Sequence, residues 1–113
     1  MKDIKISVKS QFRASHYHEG ALNEPLHDHT FIYIATLKGP LNTEGFLVDF
    51  REVETFLYEL NKSLSFKVLN KIIPNSTTEN VAIFLFNKIK EKFPQIFKIQ
   101  VFEKENYSVT YEE

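Results

Sequence analysis

The segment Phe31-Ile-Tyr-Ile-Ala35 constrains this chain more than any other, because it is apolar at both parities. Successive side chains of a strand point to opposite faces, so such a run needs cover on both. It lies in a strand predicted over residues 27–37, which Lys38-Gly39-Pro40 breaks. Ahead of it, Ile4, Ile6, Val8, Ser10, Phe12 and Ala14 recur at spacing two and predict a first strand. A polar loop over residues 18–26 joins the two. Asp49 with Glu52 has capping-box spacing and opens a helix whose stripe is Val53, Phe56, Leu57 and Leu60. Ser76 with Glu79 repeats the signature before a second helix carrying Val81, Phe84, Leu85 and Ile89, with Lys88 and Lys92 at the later turns and Phe93 extending the stripe up to Pro94. Phe97, Ile99 and Val101, then Tyr107, Val109 and Tyr111, predict two closing strands around Lys104-Glu105-Asn106. The order ββααββ is an α+β domain, an antiparallel four-stranded sheet with two helices on one face. Two helices cover one sheet face only, so the doubly apolar strand points to a second subunit at the other face or at an edge.

The chain of 113 residues has room for one domain, residues 1–113, and its eleven Phe suffice to fill one core. Its 14 basic and 15 acidic residues leave a net charge of -1 with no basic stripe, which argues against a nucleic-acid partner. The longest wholly apolar run, residues 81–86, is far short of a membrane span. The N-terminus alternates charge with aliphatics as a strand does, unlike a signal peptide, and the expectation is a soluble, cytoplasmic protein. There is no cysteine, so any metal must be held by His and carboxylate and any base must be something other than a thiolate.

All four histidines, His16, His18, His27 and His29, fall within fourteen positions. His27 and His29 share a strand face, and His16 follows Phe12 and Ala14 on the parity that a hairpin brings beside them. Three imidazoles converging with a coordination position open is the arrangement of a catalytic zinc site. His-x-His on a strand also occurs without a metal, and the pair alone fits that reading as well. His18 lies beyond the strand end as a loop residue or a support to the ligands. Glu52, Glu54 and Glu59 form a solvated helix face.

Several motifs in order carry a resemblance. Phe12-Arg-Ala-Ser-His16, His27-Asp-His29, Gly45-Phe-Leu-Val-Asp49-Phe50, residues 64–70, Thr77-Thr-Glu79-Asn80 and Val101-Phe-Glu103 are similar to motifs of the 6-pyruvoyl-tetrahydropterin synthase and 6-carboxytetrahydropterin synthase family. The resemblance implies the tunnelling fold, with trimers closing an oligomeric β-barrel and two trimers stacking into a homo-hexamer. It implies Zn2+ on His16, His27 and His29, and a small-molecule pterin substrate such as 7,8-dihydroneopterin triphosphate. Glu103, helped by Thr77, would hold the pterin's amino and ring N–H groups, a donor pair that suits a planar carboxylate.

Two departures refine this. Where the usual members place a catalytic Cys, this chain has Glu24-Pro-Leu-His27, which resembles the family's Glu-x-x-His-x-His variant. There the glutamate serves as base, and the enzyme is a lyase that leaves 6-hydroxymethyl-7,8-dihydropterin, a folate precursor. The family's Asp-His relay falls on Ser65-Phe66, so His18, Glu19 and Asp28 become candidates to substitute, and the closing Glu-Thr is Glu103-Lys104. The resemblance thus implies a zinc-dependent pterin lyase. The alternatives are 6-pyruvoyl or 6-carboxy activity in biopterin-like or queuosine-precursor synthesis, a pterin-binding protein without turnover, or a domain using zinc for stability alone.

Overall fold

The computed structural model describes residues 2–113. It contains strands β1 (Asp3–His18) and β2 (Glu24–Pro40), helices α1 (Phe50–Leu64) and α2 (Thr78–Lys92), and strands β3 (Ile96–Lys104) and β4 (Tyr107–Glu112). The four strands form one antiparallel sheet in the order β1-β2-β3-β4. This is the expected ββααββ arrangement.

Strand alternation decides which residues meet the helices. Phe12 pairs with Phe31 and Val8 with Ala35 across β1 and β2, so Val8, Phe12, Ala14, Phe31, Tyr33, Ala35 and Leu37 share the covered face. Ile99 and Val101 of β3 continue it. Onto this face α1 buries Val53, Leu57, Leu60 and Leu64, and α2 buries Val81, Ala82, Leu85, Phe86 and Ile89. The rings of Phe12 and Phe31 stack at 5.2 Å. One polar chain enters this core: the Tyr33 hydroxyl donates to Asn61 Oδ1 at 2.7 Å, and Asn61 Nδ2 donates to Ser10 Oγ at 2.7 Å. Burial pushes the Tyr33 phenol up to about 12.

The opposite sheet face carries Ile32, Ile34 and Phe102, half-buried around a cavity of about 500 Å³. The second parity of the doubly apolar strand is therefore only partly covered within one chain. Among the described residues, no helix is long and apolar enough to cross a membrane.

The structure corrects three boundaries. The joining loop is residues 19–23, not 18–26, because backbone pairing carries both strands through polar residues as far as His18 opposite Glu24. The second strand passes Leu37 to Pro40, with Asp3 paired to Pro40. Pro40 is tolerated as the last residue, and at Gly39 a Cβ would lie 2.9 Å from Leu47 Cδ1, so the end of the Leu47 side chain would have to turn aside for it. The N-cap of α2 is Thr77, whose hydroxyl accepts from the Asn80 N–H at 3.1 Å, not Ser76. Ser76 is fully buried one residue earlier, its carbonyl turned to His16. Asp49 caps α1 as expected, accepting from the Arg51 N–H at 2.9 Å, and the Arg51 side chain holds its carboxyl below the usual range.

Candidate metal centre

His16 lies directly opposite His27, and Ala14 opposite His29, so strand pairing alone gathers the three imidazoles on the covered face. The small Ala14 side chain leaves room across from His29. Ring centroids of His16 lie 4.6 Å from His27 and 5.4 Å from His29. Phe31 lies edge-on to His16 and His29, at 5.3 and 5.8 Å, an apolar floor beneath them. Glu103 completes the group from β3: its Oε1 is 3.3 Å from His29 Nε2 and 3.6 Å from His16 Nε2. One ligand atom from each of His16, His27, His29 and Glu103 lies within 4.8 Å of all the others.

Hydrogen bonds fix the tautomers. His16 Nδ1 donates to the Ser76 carbonyl and His27 Nδ1 to the Pro25 carbonyl, both at 2.7 Å. A neutral imidazole has a single N–H, so Nε2 of each then carries a lone pair. Both Nε2 atoms are shielded from water and have no partner. Buried, unpartnered lone pairs aimed at one point, with Nδ1 anchored on carbonyls, are what imidazole coordination of a metal requires. Desolvation holds His16 below its ordinary pKa, and the neighbouring imidazoles add to this. Desolvation likewise lowers His29, against the raising effect of the Glu103 charge. Both shifts favour the neutral, metal-binding form.

Glu24 reaches this face by an irregularity. It is three positions from His27, and strict alternation would turn the two side chains to opposite faces. Between the pairs His16–His27 and His18–Glu24 the register shifts by one, because Pro25 and Leu26 both stand opposite Tyr17. This is a β-bulge on β2, a place where a residue without an N–H costs no ladder bond. It returns Glu24 to the side of His16 and His18, and it turns the Pro25 carbonyl onto His27. Glu24 Oε1 stands 3.5 Å from His18 Nε2.

The other sequence candidates separate. Asp28 pairs with Ser15 and Arg13 on the far face, away from the cluster, and its carboxyl is held low chiefly by the Ser15 hydroxyl. Glu19 is an exposed loop residue. Ser65 caps the end of α1, and Phe66 is 85% exposed at φ 61°, a strained backbone for an aromatic residue. The Thr77 hydroxyl is used by the helix cap. Its neighbour Thr78 lines a cavity of about 190 Å³ together with Glu103, Glu79, Tyr107, Ser108 and Val109. Wider concavities around Arg51 and Lys92 contain none of the cluster's residues.

The sequence reading does not include Asn70. Its Oδ1 accepts from the Tyr17 N–H at 3.0 Å and its Nδ2 donates to the Tyr17 carbonyl at 2.9 Å, clasping the backbone between His16 and His18. No local signal reveals a contact across 53 positions; the only hint is that Asn70 closes one of the six motifs.

Known proteins share this fold. The family model described as 6-pyruvoyl tetrahydropterin synthase matches residues 5–113. The dihydroneopterin monophosphate aldolase of Pyrococcus furiosus is 30% identical over 96 residues, covering 85% of this chain and 83% of that protein. The 6-pyruvoyl tetrahydropterin synthase of Caenorhabditis elegans superposes with a TM-score of 0.86 at 20% identity, over 100% of this chain and 97% of that one. A Plasmodium vivax 6-pyruvoyltetrahydropterin synthase, solved as a catalytic-residue mutant in which glutamate is changed to alanine, gives 0.83 at 15% identity, over 100% and 99%.

Proposed function

Because the chain belongs to the 6-pyruvoyl tetrahydropterin synthase family, we propose that it is a zinc-dependent lyase that cleaves the side chain of a 7,8-dihydroneopterin phosphate, leaving 6-hydroxymethyl-7,8-dihydropterin. The observation that carries this reading is the convergence of His16, His27 and His29, with Glu24 brought to the same face by the bulge on β2 and set against the neighbouring His18. The P. furiosus relative is named as an aldolase of the monophosphate, which favours that form over the triphosphate. The P. vivax synthase has a glutamate as a catalytic residue, a precedent for Glu24 in that role.

His16, His27 and His29 would hold Zn2+, the metal a three-imidazole site prefers, and the ion when bound supplies positive charge that acidifies side-chain hydroxyls of the pterin. With three imidazoles sufficing for the ion, Glu103 is left free to accept from the amino and ring N–H groups of the pterin, which enters the cavity shared with Thr78 beside the Thr77 cap. Glu24 takes the proton of the hydroxyl on the second side-chain carbon. The bond between the first and second carbons breaks, and its electron pair moves into the C6–N5 imine of the ring. The second carbon leaves as an aldehyde that carries the phosphate. Reprotonation of the first carbon, for which Glu24 holds the proton, completes the hydroxymethyl group. The partly covered face of Ile32, Ile34 and Phe102 supports assembly as a homo-oligomer, the dimer of trimers that the resemblance implies.

The test is incubation of zinc-loaded protein with 7,8-dihydroneopterin monophosphate and, separately, the triphosphate, with products resolved by chromatography and mass. The expected product is 6-hydroxymethyl-7,8-dihydropterin, and Glu24→Ala should retain zinc and lose about 100-fold or more of the rate. Unaltered substrate, or a 6-pyruvoyl or 6-carboxy product, would overturn the proposal.

A further inference from the structure

His18 is the one histidine outside the metal group. The bulge lies on β2, so β1 keeps its alternation and His18 projects on the same side as His16, with ring centroids 4.8 Å apart. Glu24 is its direct partner in the register. The two side chains differ in exposure, 17% for His18 against 51% for Glu24, so the imidazole is packed and the carboxylate is not. His18 Nδ1 is buried and has no partner. Placing the single N–H of a neutral ring there would strand a buried donor. Placed on Nε2, the same hydrogen is on the ring nitrogen that lies 3.5 Å from Glu24 Oε1, a separation of the kind that closes in a substrate complex. The backbone between His16 and His18 is itself held, since Asn70 satisfies both polar groups of Tyr17.

We infer that His18 is the positioning residue of Glu24: its Nε2–H donates to one carboxylate oxygen and leaves the other aimed at the substrate hydroxyl. A glutamate at the start of a strand, half in water, otherwise samples many rotamers, and few of them place an oxygen over the metal group. The inference rests on the reading of Glu24 as the base.

The test compares His18→Leu, which removes the donor but keeps the bulk, with His18→Gln, which restores an N–H. Each is made alone and combined with Glu24→Ala, and kcat, KM and zinc content are measured with 7,8-dihydroneopterin monophosphate. His18→Leu should lower kcat about tenfold with little change in KM and full zinc content, and His18→Gln should recover most of the loss. In the Glu24→Ala background His18→Leu should have no further effect. Nitrogen-15 NMR of His18 should show the Nε2–H tautomer in the zinc-loaded protein, with its proton exchange faster in Glu24→Ala. Unchanged kcat in His18→Leu, loss of zinc, an equal loss in the Glu24→Ala background, or an Nδ1–H tautomer would each overturn the inference. Full activity of Glu24→Ala would instead remove the base reading on which it rests.

Discussion

Asn70→Ala tests whether the site is held from behind. The substitution removes two hydrogen bonds to Tyr17, of 3.0 and 2.9 Å, at a backbone that water can partly reach. Each bond contributes about 0.5–1.5 kcal/mol net, and partial solvation places both at the lower end, for a loss of about 1–2 kcal/mol. With about 2.1 cal/mol/K of unfolding entropy per residue over 113 residues, each kcal/mol moves the midpoint by about 4 °C, so the expected fall is about 4–8 °C. Asn70→Asp should do no better, because a carboxylate can accept from the Tyr17 N–H but repels its carbonyl. Outer-shell partners of metal ligands typically contribute 10- to 100-fold in affinity, and Asn70 acts through the backbone, so about tenfold weaker metal binding is expected. The assay is thermal unfolding with chelator at fixed protein concentration, followed by titration with Co2+ read by absorbance. A midpoint within about 1 °C of the parent and unchanged Co2+ affinity would show that the Tyr17 backbone holds its place without the clasp.

His16 and His29 both titrate below the ordinary 6.5 in the folded protein. Below pH 6.5 the unfolded chain therefore binds protons that the folded one refuses, and stability present above that pH should fall as the solution is acidified, by at most about 1.4 kcal/mol per pH unit for each histidine. Urea unfolding of metal-free protein between about pH 5 and pH 7 checks this, and a flat profile would contradict it. Tyr33→Phe leaves the half-buried Asn61 Oδ1 without its partner and should cost about 1 kcal/mol, part of which Asn61→Leu in the same chain should restore; strictly additive losses would count against the network.

Periodicity made the core legible. Val53, Leu57 and Leu60 repeat at helical spacing, and Phe12 and Ala14 alternate, because burial acts on each of these residues separately. The meeting of His16 with His27 and His29 followed from the same alternation once two strands were paired. The strand ends were hidden, because ladder bonds are made by the backbone and take little notice of whether His18 or Glu24 is polar. Ser76 has the fuller local cap signal, with Glu79 three residues on, yet its carbonyl is taken by His16 and the Thr77 hydroxyl takes the Asn80 N–H. The Asn70 clasp and the His18–Glu24 contact depend on tertiary pairing that no window of sequence contains.

The bulge at Pro25 and Leu26 makes β2 indifferent at these two positions to which side chains it carries. Leu26 is exposed, and Pro25 offers the cluster only its carbonyl, an atom every residue has. Many substitutions at these two positions would leave the geometry intact. Removing either residue would erase the bulge, yet Glu24 would then stand two positions before His27, and plain alternation would keep it opposite His18 on the same face. The bulge lets a spacing of three stand in for a spacing of two, and what the extra residue adds is a carbonyl for His27.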